Sequence, residues 1–123
     1  MSLRTPLANV KGLGSAKEGA HHWWMQRLTS IALIPLTLWM AFSIASFGGM
    51  TYEQVTAWMQ SPWVAVGLAL LIVVMLYHTQ LGIQVIVEDY VGGWLRIASI
   101  IMLNFTCIAL AFLALFSIIK VSL

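Results

Sequence analysis

The sequence predicts an all-α membrane protein built on three transmembrane helices, and three observations carry that expectation. Of 123 residues, 61% are hydrophobic and only 8% are charged, where a soluble domain carries about 25% charged residues. Lipid is therefore the solvent that suits this composition. Three stretches, residues 28–47, 62–87 and 97–119, contain no charge and run to 20, 26 and 23 residues; a bilayer-crossing helix needs about 20. The segments between them, residues 48–61 and 88–96, carry Glu53, Glu88, Asp89 and Arg96 along with paired glycines.

The elements follow in order. Residues 1–22 hold Arg4, Lys11, Lys17 and Glu18 among scattered Gly and Ser. No apolar h-region follows that would mark a secretory signal, so they read as a cytoplasmic arm, and residues 23–123 as the three-helix anchor domain. The first span carries Pro35, which removes one backbone hydrogen bond, a loss that transmembrane helices tolerate when neighbours repair it. In the connection that follows, Thr51 and Gln54 have the spacing of a capping box. Val55, Trp58 and Met59 fall at i, i+3 and i+4. One or two turns of interfacial helix are expected there, with Trp58 and Trp63 in an aromatic belt. Ser61 is placed to cap the second span and Pro62 to open it. At 1.5 Å per residue this span reaches roughly 39 Å, enough to cross with tilt. Arg96 and Lys120 bracket the third span as interfacial anchors. Cys107, inside that span, reads as a small buried hydrophobe.

Topology comes from the basic residues. Arg4, Lys11, Lys17 and Arg27 precede the first span, none lies between the first two spans, Arg96 lies between the second and third, and Lys120 follows the third. The positive-inside rule puts the N-terminus in the cytoplasm and the C-terminus outside. Net charge is only +2, and the cations form no stripe, which argues against a nucleic-acid partner. Three helices of this size make a poor bundle alone, so helices of a partner chain are expected beside them.

An ionisable residue inside a span is a functional hypothesis by default. His78 lies nine residues before the end of the second span, roughly 13 Å from that interface. Two uses compete: a hydrogen bond to a neighbouring helix, or ligation of a metal or haem. Gly82, one turn on, shares its face and either admits a flat macrocycle or lets a helix pack closely. Asp89 follows His78 by eleven residues, close to three turns, so a line of His78, Gly82, Asp89 and then Tyr90 runs from mid-bilayer to the cytoplasmic edge. A phenol there can donate to a quinone carbonyl, or simply anchor at the headgroups. At the start of the first span, on the same side, stand His21, His22, Trp23, Trp24 and Arg27. Arg27 either snorkels to phosphates or pairs with a haem propionate, with His21 assisting and His22 its substitute. Asn104, Thr106, Gln80 and Gln84 read as interhelical hydrogen-bonding residues. The seven scattered methionines read as packing rather than a copper site.

These residues carry a family resemblance. His78-Thr79-Gln80-Leu81-Gly82 followed by Glu88-Asp89-Tyr90-Val91 resembles the signature of the smaller haem-bearing membrane anchor of succinate dehydrogenase, and His21 with Arg27 six residues on resembles that family's upstream block. With the length and the three spans, the resemblance covers nearly the whole chain. It implies a subunit of succinate:quinone oxidoreductase (respiratory complex II), passing electrons from succinate oxidation to quinone. It implies a flavoprotein subunit, an iron–sulfur subunit and a second membrane anchor as partners. It implies a haem b held jointly by the two anchors, with His78 as one axial ligand, and ubiquinone bound at Tyr90 and Asp89. Arg27, His21 and Gly82 would lie around the haem. A fumarate reductase anchor, and a cofactor-free structural or assembly protein, are the alternatives. The short arm favours a bacterial inner membrane over a mitochondrial one.

Overall fold

The computed structural model of the chain describes residues 6–10 and 17–123. Arg4, Lys11 and the side chains of Lys17 and Glu18, which the charge reading counts, lie outside the described residues. Among the described residues every regular element is helical: α1 (Pro6–Val10), α2 (Lys17–Ser46), α3 (Tyr52–Met59), α4 (Pro62–Tyr90) and α5 (Gly93–Ser122). Three of them, α2, α4 and α5, are long and apolar enough to cross a membrane, as the charge-free stretches predict. All three outrun those stretches, α5 running from Gly93 to Ser122. Helix α2 begins ahead of residue 28, so the boundary drawn at residue 22 falls within it, and α4 carries on through Asp89 to Tyr90.

Helix α4 is central. It packs on α2 along one side and on α5 along the other, and α2 and α5 do not approach each other. Its Leu68, Leu71 and Leu81 are buried, as is Ile118 of α5. Between helices in lipid no hydrophobic drive operates, since lipid tails are as apolar as leucine, so close van der Waals contact must do the work. Gly67 shows how. A Cβ there would sit 2.9 Å from Trp39 Cη2, closer than two carbons can come, so the absent side chain is what lets the Trp39 indole lie against α4.

The connection between α2 and α4 follows its expected chemistry in part. The capping box forms: the Thr51 N–H donates to Gln54 Oε1 at 2.9 Å and the Gln54 N–H donates to Thr51 Oγ1 at 3.3 Å. The Glu53 carboxyl beside it is held below its ordinary range by its own backbone N–H and, secondarily, by Thr51. Trp58 does not stand outward as a belt residue. It stacks on Trp39 at 5.9 Å and meets Phe47 edge-on at 4.9 Å, tying α3 to α2, while Trp63 stays exposed. Ser61 occupies the cap position of α4 but its hydroxyl makes no capping bond; Pro62 at the first turn needs none for its own missing N–H.

The turn from α4 to α5 is tight. Val91 is extended, and Gly93 takes φ of +64°, a conformation in which a Cβ is strained. Arg96 donates from Nε to the Val91 carbonyl at 2.9 Å, so it closes this turn.

Candidate functional site

The site begins with a stripe on α2. His22, Gln26 and Thr29 recur at i, i+4 and i+7, one helix face, and that face meets α4. Thr29 is the one buried polar residue among those described, at 6% exposure. Its Oγ1 lies 2.8 Å from the Met25 carbonyl, 3.0 Å from the Gln26 carbonyl and 2.9 Å from His78 Nδ1. His78, half-buried in the middle of α4, is thus tied through one ring nitrogen to the neighbouring helix. Its other nitrogen makes no hydrogen bond among the described residues. The expected interhelical bond therefore exists and still leaves a ring nitrogen with an unassigned task.

One turn on, Gly82 faces Gln26. A Cβ at Gly82 would meet Gln26 Nε2 at 3.7 Å, an ordinary contact, so nothing among the described residues requires glycine there. Towards the Tyr90 end of α4 a cavity of about 590 Å³ opens between α2 and α4, bordered by His21, His22, Met25, Leu81, Gln84 and Glu88. Two buried polar atoms in this region, His22 Nε2 and Gln26 Oε1, have no partner among the described residues. Buried polar atoms are rarely left so. Of the paired histidines, His22 is the one with a buried unpartnered nitrogen; His21 is exposed.

Other candidates lie apart. Arg27 is exposed, its guanidinium 5.4 Å from the centroid of the Trp23 ring, and it does not border the cavity. Asp89 and Tyr90 end α4 with exposed side chains, Tyr90 at 85% exposure, and neither borders the cavity. The carboxylate that reaches the cavity is Glu88. It accepts from Gln84 Nε2 at 2.9 Å; Gln84 Oε1 accepts from Gln80 Nε2 at 2.9 Å; Gln80 Nε2 also donates to Asn104 Oδ1 of α5 at 2.8 Å. Gln80 and Asn104 thus make the interhelical bond expected of them, whereas Gln84 bonds only within α4. Sequence reasoning passed over Thr29 and Gln26 and named Glu88 without giving it a role. The signal available for the first two was the polar spacing His22, Gln26, Thr29 leading into an otherwise apolar span.

Similarity to known proteins decides the family. The model of the succinate dehydrogenase/fumarate reductase transmembrane subunit family matches residues 1–119. The chain belongs to that family. A succinate dehydrogenase hydrophobic membrane anchor subunit of Rickettsia conorii is 34% identical over 107 residues, 85% of each chain. One of Paracoccus denitrificans is 35% identical over 97 residues, 79% of this chain and 75% of the relative. A succinate dehydrogenase membrane anchor subunit of Reclinomonas americana is 30% identical over 92 residues. No solved structure matches. As a member of this transmembrane-subunit family with bacterial relatives and three apolar helices, the chain is a multi-pass membrane anchor subunit of a larger oxidoreductase complex.

Among the described residues no group of three or more His, Cys, Asp or Glu side chains is gathered to hold a metal ion by itself. A haem shared between two chains asks for less, one imidazole from each. The residues fit that demand: an imidazole fixed through one nitrogen, a glycine one turn away that the described residues do not require, and unpartnered polar atoms at the adjoining cavity.

Proposed function

We propose that this chain is the smaller anchor of a succinate:quinone oxidoreductase, giving one axial imidazole to a haem b shared with a second anchor chain and holding ubiquinone at the cytoplasmic face. The observation that carries the reading is His78, half-buried in mid-span, bound through Nδ1 to Thr29 and unpaired at its other nitrogen. The relatives' names support succinate dehydrogenase over fumarate reductase, an enzyme of the same architecture run in reverse. The remaining partners are a flavoprotein that oxidises succinate and an iron–sulfur subunit that carries electrons to the membrane.

When bound, haem b supplies a one-electron carrier within the bilayer. The chain's own residues orient and seat it. His78 is held by Thr29, Gly82 leaves the helix face open, and His22 and Arg27 offer a donor and a cation to propionates at the cytoplasmic edge, with His21 beside them. At the end of α4, Tyr90 donates its phenolic hydrogen to a quinone carbonyl oxygen. Reducing a quinone to a quinol takes two electrons and two protons. Asp89, exposed beside Tyr90, is placed to pass protons from water. The exposure of Tyr90 is what a site completed by partner subunits requires.

Replacing Tyr90 by Phe removes one hydrogen bond to the quinone. The expected result is a loss of roughly tenfold in succinate:quinone reductase activity, from about 1.4 kcal/mol of lost interaction. Succinate oxidation by an artificial acceptor should stay at the wild-type rate. Equal loss of both activities would remove Tyr90 from the quinone site.

A further inference from the structure

We propose that Thr29 is a positioning residue for His78: its hydroxyl accepts a hydrogen bond from His78 Nδ1–H, which fixes the neutral tautomer that leaves Nε2 free as a ligand. This rests on the reading of His78 as a haem ligand and assigns the residue that prepares it.

The case is a count of protons. A threonine hydroxyl has one hydrogen and two lone pairs. Three heavy atoms stand within hydrogen-bonding distance of Thr29 Oγ1: the Met25 carbonyl at 2.8 Å, the Gln26 carbonyl at 3.0 Å and His78 Nδ1 at 2.9 Å. Carbonyl oxygens only accept. Were the hydroxyl hydrogen aimed at His78, two carbonyl oxygens would face the hydroxyl's lone pairs at under 3.1 Å with no hydrogen between, a repulsive arrangement in a buried site. The hydrogen therefore goes to a carbonyl. The Gln26 carbonyl already accepts from Ser30 Oγ at 2.8 Å, which leaves the nearer Met25 carbonyl as its partner. A lone pair of Thr29 then faces Nδ1, and Nδ1 must carry the proton. A neutral imidazole protonated at Nδ1 has its lone pair at Nε2. The arrangement is buried, since Thr29 is 6% exposed, so water does not compete for it. The same bond fixes the ring plane and makes Nε2 a stronger donor to a metal.

Two substitutions of similar size test this. Thr29→Val keeps the branched shape and loses the hydroxyl; Thr29→Ser keeps the hydroxyl. In the purified multisubunit complex, Thr29→Val should raise the haem midpoint potential and shift the low-spin EPR g values, because a less basic imidazole favours the oxidised iron less. Thr29→Ser should return both to wild type, which loss of packing alone would not do. The second readout needs no haem: ring 15N chemical shifts of the histidine-labelled full chain in detergent micelles. There His78, identified by the signal missing from His78→Ala, should carry its proton at Nδ1 in wild type and Thr29→Ser, and at Nε2 in Thr29→Val. Unchanged potential and g values in Thr29→Val, or an Nε2-protonated wild-type ring, overturns the proposal. If instead the wild-type complex and His78→Ala give the same haem spectrum, it is the ligand reading that fails first. The proposal falls with it, and the 15N shifts then report only a structural bond.

Discussion

At the scale of single residues, the chain's informative feature is a polar side chain whose demands its own fold meets by half. His78 spends one nitrogen on Thr29, and Gly82 one turn on leaves room for a Cβ. Gly82 therefore yields a discriminating substitution. Gly82→Leu should leave assembly of the subunits intact while lowering haem per complex by roughly severalfold, measured as pyridine haemochromogen against subunit content. Full haem content in that variant would place Gly82 against lipid or a partner helix instead. His78 and Gly82 were legible in the sequence because an ionisable group and a glycine both stand out in an apolar run. Thr29 was not. A threonine is tolerated anywhere in a membrane helix by bonding back to its own carbonyls, so nothing in its type distinguishes the one that also faces an imidazole. Asp89 and Tyr90 were legible as a motif, but both side chains are exposed, and their use in the proposed quinone site rests on surfaces outside this chain.

At the scale of elements, the three spans could be read from charge-free length alone, whereas their ends could not. The absence of charge marks the hydrocarbon layer, not the limit of backbone hydrogen bonding. Helix α2 accordingly runs back through His21, His22 and Arg27 to Lys17, and α4 forward to Tyr90. This extension is what puts His22 and Gln26 on the same helical face as Thr29. The capping box at Thr51 was readable because two residue types at a fixed spacing make it. The docking of Trp58 on Trp39 was not, because a tryptophan near an interface serves anchoring and packing equally well. The packing between α2 and α4 gives a stability test. Gly67→Ala places a carbon 2.9 Å from the Trp39 ring and should cost about 1–3 kcal/mol, as overpacking does. A lower midpoint in thermal unfolding of the solubilised complex would show it; an unchanged midpoint would mean that the Trp39 indole moves aside freely.

At the scale of the molecule, α4 stands between α2 and α5, which do not approach each other. The imidazole, the small residue and the α2–α4 cavity lie together on the α2 side of that row, and the Gln80–Asn104 ladder ties the α5 side. Quinone binding at Tyr90, as proposed, needs that end of α4 in the cytoplasm, where the distribution of Lys and Arg would put it. Reporter fusions test it: a reporter active only in the cytoplasm should work at the N-terminus and in the loop at Gly92, and fail at the C-terminus. The reverse pattern would put Tyr90 on the side away from the proposed iron–sulfur partner. The measurement that bears most directly on the central claim is the low-temperature EPR spectrum of the oxidised, purified complex, compared between wild type and His78→Ala. The expected result is a low-spin signal of iron between two imidazoles in the wild type that is lost in the variant, while succinate oxidation by an artificial acceptor is unchanged. The same low-spin signal in both proteins, with all subunits present, would contradict His78 as a haem ligand.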